Sequence, residues 1–272
     1  MKLRSAKVAR PLLAAAPLLC LAALPQVHSV ARAFSQAASS DARTPVLVEL
    51  FTSEGCSDCP PADALLRRLA SQQPVPDADV IVLEEHVDYW DSQGWRDPFS
   101  SASMTERQNG YADSFGNRQV YTPMMIVDGR TEFVGSRADT ASRAIETAGK
   151  TAKPAMQLSW SLAGPLEIRV EPLVNATRGD SADVFVAVTE SGLHSDVKRG
   201  ENAGRALDHT GVVRELSRAG SIGKNSSVEA SLSAVVHVKP EWKRANLRAV
   251  VFVQERRSRR VLAAANIAFS AQ

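Results

Sequence analysis

Two cysteines three positions apart, Cys56 and Cys59, stand in the stretch Glu54-Gly55-Cys56-Ser57-Asp58-Cys59-Pro60-Pro61. Thiols at this spacing can close a small disulfide that opens and re-forms, the chemistry of a thiol–disulfide redox site. The thiolate is the nucleophile, and an ordinary cysteine has a pKa near ~8.5, so a reactive site must lower it. The start of a helix does so through its dipole and its unpaired N–H groups. Cys56 comes first and is expected as the exposed attacking sulfur, with Cys59 one turn inward as the resolving one. An inert loop staple is the other reading of the same pair. Asp58 lies between the sulfurs; its charge disfavours a thiolate, unless it merely caps the helix or faces water.

Other residues offer weaker chemistry. His86 and Asp88, two apart, share a face of a strand. Joined to the cysteines, His86 makes a copper site imaginable; alternatively the pair pins the aromatic loop that follows. Trp90 and Trp95 can form a lip for a client polypeptide or pack into a core. His194, His209 and His237 are scattered and indicate no metal cluster. The arginines flanking Ser258 read as a solvated hairpin tip, and Asn175-Ala176-Thr177 is a glycosylation sequon by pattern only.

The elements that must position the cysteines are legible. Val46–Phe51 reads as a buried strand, residues 61–70 as a helix, Val80–Leu83 as a second strand, and Asp88–Ser103 as a long aromatic loop. A polar helix over Met104–Ser114 follows. Asp128-Gly129 between two apolar runs predicts a two-residue hairpin, and Ala138–Ala148 another helix. From Met156 onward, short alternating runs separated by turn residues predict an all-β sandwich.

The chain has 272 residues and a formal net charge of +2. That charge is uneven. Residues 1–33 carry Lys2, Arg4, Lys7, Arg10 and Arg32 with no acid, a short apolar run from Pro11 to Leu24, and Ala31-Arg32-Ala33. This order predicts a signal peptide over 1–33, cleaved after Ala33, with a loose leader over 34–44. The apolar run falls short of the ~20 residues of a membrane span. The remainder carries a charge of −3, so no nucleic-acid partner and no stable membrane span are expected. Cleavage also removes Cys20 and leaves Cys56 and Cys59 as the only cysteines, too few for a structural zinc site. A periplasmic or secreted location follows from the same reading.

Glu49-Leu50-Phe51-Thr52-Ser53, Gly55 to Asp63, His86-Val87-Asp88-Tyr89-Trp90-Asp91, Gly94-Trp95, Asp97-Pro98-Phe99, Arg107-Gln108 and Tyr121-Thr122-Pro123 resemble an exported thioredoxin-like family of unknown function, the domain-of-unknown-function family numbered 1223. Glu201 to Arg205 and Val212-Val213-Arg214 resemble its second half. The resemblance implies a thioredoxin-like α/β domain over 45–149, followed by the β-sandwich over 155–272. It also implies that Glu49 is a buried proton acceptor for Cys59, that Pro123 is a cis proline facing the disulfide, and that Thr122 offers backbone groups to a substrate. The expected function is thiol–disulfide exchange with the thiols or disulfides of exported proteins, with no cofactor and no bound metal. A binding module with a structural disulfide and a copper-handling protein remain the alternatives.

Overall fold

The computed structural model describes residues 43–269 apart from 118, 161–163, 174–179 and 224–225. The segment 1–33, most of the leader, and the sequon Asn175-Ala176-Thr177 lie outside the described residues.

The first strand, β1 (Thr44–Thr52), leads into helix α1 (Pro60–Gln72), which returns the chain to β2 (Ala78–His86), parallel to β1. A long loop precedes α2 (Ala102–Phe115). The hairpin of β3 (Met124–Val127) and β4 (Thr131–Val134) then adds antiparallel to β1, and α3 (Ala138–Gly149) follows. The hairpin turns at the predicted Asp128-Gly129, both left-handed (φ 50° and 63°), but three residues rather than two, 128–130, separate the strands, because Val127 pairs with Thr131. A side chain at Gly129 would meet the Arg259 carbonyl, so this turn also seats the far end of the chain.

The later half supplies β5 (Met156–Trp160), β6 (Leu166–Val170), β7 (Ala182–Glu190), β8 (Leu193–Asp196), β9 (Ala206–His209), β10 (Val212–Ile222), β11 (Ala230–Ala234), β12 (Leu247–Glu255) and β13 (Val261–Ala268). Four of these strands join the first half in one eight-stranded sheet, ordered β13-β12-β7-β10-β2-β1-β3-β4. The seam is a short parallel pairing of β10 with β2 at Val212 and Glu84. This overturns the expected thioredoxin-like α/β domain followed by an all-β sandwich. The protein is mostly β, with three α-helices among the described residues packed on a single mixed sheet. Local patterning identified β2 as a strand but carries no information on which distant strand fills its open edge.

Period-2 alternation divides the sheet into two faces. Val46, Val48 and Leu50 pack against Leu65, Leu66 and Leu69 of α1 and Ile145 of α3. Farther along that face the small sheet β11-β6-β5 covers β7 and β12 through Leu166, Ile168, Val184, Val186 and Val251. The opposite face carries Leu47, Ile81, Leu83 and Phe252 under Met104 of α2. Among the described residues no helix is long and apolar enough to cross a membrane.

Candidate functional site

After Thr52 the chain turns sharply, and Cys56 and Cys59 are joined in a disulfide with their Cα atoms 5.4 Å apart. Cys59 is the residue that opens α1. Pro60 and Pro61 have no N–H, and the N–H groups of Ala62 and Asp63 donate to the Cys59 carbonyl at 2.8 and 3.1 Å. The helix therefore offers its dipole to the sulfurs, but the unpaired donors expected in its first turn are absent or already used. Ser57 and Asp58 face solvent, while Cys56 and Cys59 are 1% and 0% exposed.

The aromatic loop and the hairpin strand converge on this loop. Trp90 packs on Gly55, where an added Cβ would lie 3.0 Å from the Trp90 Cβ. The Trp90 indole donates to Thr122 Oγ1 at 2.8 Å, and the Trp95 indole to Glu54 Oε2 at 2.7 Å. Both tryptophans are half-buried. The Thr122-Pro123 bond is cis. Pro123 and Ala62 both border Gly135, which sets Pro123 beside the first turn of α1. Cys56, Cys59, Trp90, Trp95, Thr122 and Pro123 thus share one neighbourhood.

Glu49 lies elsewhere. Alternation along β1 turns it to the α2 face, away from α1. There its carboxylate, fully buried, binds the Arg107 guanidinium and the Tyr111 hydroxyl. Arg107 also reaches Glu85 (3.1 Å) and Gln254 (3.2 Å) and lies over the rings of Phe252 and Phe185. On the α1 face the buried carboxylate nearest Cys59 in sequence is Asp63, which accepts from Thr52 Oγ1 at 2.6 Å. Burial, and then the charge of Glu84, push its pKa up to about 7.

The loop between β8 and β9 closes over the disulfide. Asn202, fully buried, donates from Nδ2 to the carbonyls of Glu54 (2.8 Å) and Cys56 (2.9 Å), and Glu201 accepts the Ser57 N–H at 3.2 Å. Two hydrogen bonds of about 1 kcal/mol each hold this cover, and each 1.4 kcal/mol is tenfold in an equilibrium. With both Asn202 bonds lost, Asn202→Ala is therefore expected to speed reduction of the disulfide by a small phosphine about 30-fold; an unchanged rate would show that Asn202 does not govern access.

A nearly closed ring of carboxylates and imidazoles lies beneath the loop. The Glu54 N–H donates to Asp97 Oδ2 (2.9 Å), which lies 2.6 Å from His86 Nδ1. Glu84 Oε1 lies 3.4 Å from His86 Nε2 and 2.6 Å from His209 Nδ1, and His209 Nε2 is 3.1 Å from Glu54 Oε1. Burial works against charge on His209, but Glu54 and Glu84 outweigh it and push its pKa up to about 9. In His86, burial is likewise outweighed, by Asp97 and then Glu84, and the pKa is raised. Glu84 is held at about 2, because its two imidazole partners overcome the burial that would raise it. Sequence reading missed His209 and Asn202. β8 and β9 are short, polar strands without an apolar run, and the pairing of β10 with β2 brings His209 to Glu84 across 125 residues. The copper reading joined His86 to Cys56 and Cys59; among the described residues the metal-ligating side chains gathered with His86, their ligand atoms within 4.8 Å of one another, are Glu84 and His209.

A mixed sheet, a buried disulfide at a strand-to-helix junction and a cover from the chain's later half define a mostly β protein with a capped Cys-x-x-Cys site. The chain belongs to the family described as protein of unknown function (DUF1223), whose sequence model matches residues 47–254. Among solved structures it is similar to protein AGR_C_4864 from Agrobacterium tumefaciens, at 27% identity and a TM-score of 0.65, covering 85% of this chain and 97% of that one. It is also similar in fold to HBP35 of Porphyromonas gingivalis, at 11% identity and a TM-score of 0.57, covering 84% of this chain and 76% of that one. No curated protein matches the sequence.

Proposed function

We propose that this protein exchanges thiols and disulfides with exported proteins through Cys56 and Cys59. The observation that carries the reading is the disulfide at the opening of α1, bordered by Trp90, Trp95 and the Thr122-Pro123 segment. In the reduced form, the Cys56 thiolate attacks a client disulfide and displaces one client thiolate. The Cys59 thiolate then attacks Cys56 Sγ in the mixed disulfide, re-forming the internal disulfide and releasing the second client thiolate. Two electrons pass to the client. The helix dipole favours the thiolate forms. The basic, then apolar, then small-residue order of residues 1–33 supports an exported, periplasmic or secreted setting.

The burial of both cysteines favours a second reading, a binding module whose disulfide only staples the loop. The equilibrium reduction potential of the couple and the alkylation rates of the two reduced thiols separate the two readings. A potential between ~−120 and ~−270 mV with Cys56 alkylated faster than Cys59 is expected for an exchange site. A potential below ~−300 mV with both thiols unreactive would assign the staple.

A further inference from the structure

We propose that Glu84, His86 and His209 form a binding site for a divalent transition-metal ion, zinc being the ion that this donor set suits. The site stands apart from the cysteines and does not depend on their being redox-active.

The arrangement of the two imidazoles carries the proposal. Each ring has one nitrogen held from outside by a carboxylate: His86 Nδ1 by Asp97 at 2.6 Å, and His209 Nε2 by Glu54 at 3.1 Å. A metal ion that displaces the proton from each inner nitrogen leaves the outer N–H donating to its carboxylate, with the inner lone pair directed at the ion. Carboxylates behind histidines in this way are the usual support of metal-binding imidazoles, because they fix both tautomer and ring orientation. The inner nitrogens, His86 Nε2 and His209 Nδ1, both meet Glu84 Oε1, and the three ligand atoms lie within 4.8 Å of one another. The other oxygen of Glu84 is anchored by the Thr210 N–H at 2.7 Å, which leaves Oε1 aimed at the imidazoles.

An independent observation points to a ligand. His86 Nε2 is buried in a side chain with 0% exposure, and it has no hydrogen-bond partner. A buried polar atom in that condition normally costs stability. Its 3.4 Å separation from Glu84 Oε1 lies outside hydrogen-bond geometry, yet it matches the edge of a tetrahedron built on bonds of about 2.0–2.1 Å, roughly 3.3 Å. The 2.6 Å contact between Glu84 Oε1 and His209 Nδ1 need open by less than about 1 Å to reach the same edge.

The position in the fold agrees. Glu84 and His86 stand at the C-terminal end of β2, beside the parallel strand β1, where such sheets commonly hold ligands. The Phe99 ring meets both imidazoles edge-on at 5.4 Å and shields them from water. Two imidazole nitrogens, once the metal has displaced their protons, and one carboxylate make a borderline set that favours zinc over the hard ions calcium and magnesium.

Zinc and cobalt(II) titrations of the full chain with its disulfide intact test the site. One zinc per chain is expected by equilibrium dialysis after chelator treatment. Replacement of Glu84 by Gln or His209 by Gln should abolish binding. Asp97→Asn, behind the ligands, should weaken it about 10- to 100-fold. The Cys56→Ser/Cys59→Ser variant should bind zinc as the parent does. Because buried replacements can impair folding, cobalt(II) bound to the unaltered protein gives a second readout: ligand-field bands without thiolate charge transfer. No zinc retained by the folded protein, zinc retained by folded Glu84→Gln and His209→Gln variants, or a cobalt–thiolate band would each overturn the proposal. The reduction-potential measurement is independent of all these arms.

Discussion

Replacing Arg107 by methionine is expected to lower the unfolding free energy by about 3–5 kcal/mol, the usual cost of removing one partner from a buried ion pair. Arg107 is the cation between Glu49 and Glu85, both fully buried, and it also donates to Gln254 and Tyr111. Methionine fills much of the space but leaves the buried carboxyl groups of Glu49 and Glu85 without the guanidinium that donates to both. Lysine keeps the charge but not the planar fork, so Arg107→Lys should cost distinctly less. Denaturant titration of the three proteins measures the difference. A loss under 1 kcal/mol for the methionine variant would mean that the carboxylates are not held by this arginine.

Asp63 makes stability depend on pH in the direction opposite to a salt-bridged carboxylate. Its folded pKa of about 7 lies above its ordinary value of 3.8. Burial is the main cause, and Glu84 on β2 adds to it; His209 on β9, the Thr52 hydroxyl on β1, and His86 on β2 pull the other way. Between those two values the folded state binds the extra proton, so stability falls as pH rises from about 4 to about 7 and stays low above. Asp63→Asn keeps an acceptor for Thr52 Oγ1 and removes the ionisation. Its stability relative to the unaltered protein should therefore increase by several kcal/mol from pH 4 to pH 8. Paired thermal melts across that range, with a chelator present, measure it. A difference independent of pH would place the Asp63 carboxyl in water.

The local features of the site were legible because their causes are local. The apolar run of β1, the prolines opening α1, and the Asp128-Gly129 turn each prescribe their own backbone. Thr122 and Pro123 are expected near the cysteines by resemblance, while Trp90 and Trp95 read equally as a lip or as core; in the structure Trp90 packs on Gly55 and bonds Thr122, and Trp95 bonds Glu54. The role given to Glu49 rests on the resemblance to thioredoxin-like proteins, which aligns this acid of an apolar strand with a buried proton acceptor. Alternation alone turns it away from the face that carries Val46, Val48 and Leu50, and Asp63, in the first turn of α1, is a buried acid on that face. The ring beneath the loop was beyond local patterning. It needs Glu54, Glu84, Asp97 and His209, which share no periodicity, and it exists because β10 lies beside β2. The same pairing turned two expected domains into one continuous sheet.

That pairing bears on how the chain must acquire its structure. β2 precedes β10 by well over a hundred residues, and until β10 arrives one side of β2 offers unpaired backbone groups. Loop closure over such a distance is slow, and an unfilled strand edge is a template for other chains. The eight-stranded sheet is therefore completed only after the later half has been made, even though both cysteines lie in the first half. During synthesis the thiols exist for a period without the Asn202 loop that later covers them, and the disulfide can close before its cover does.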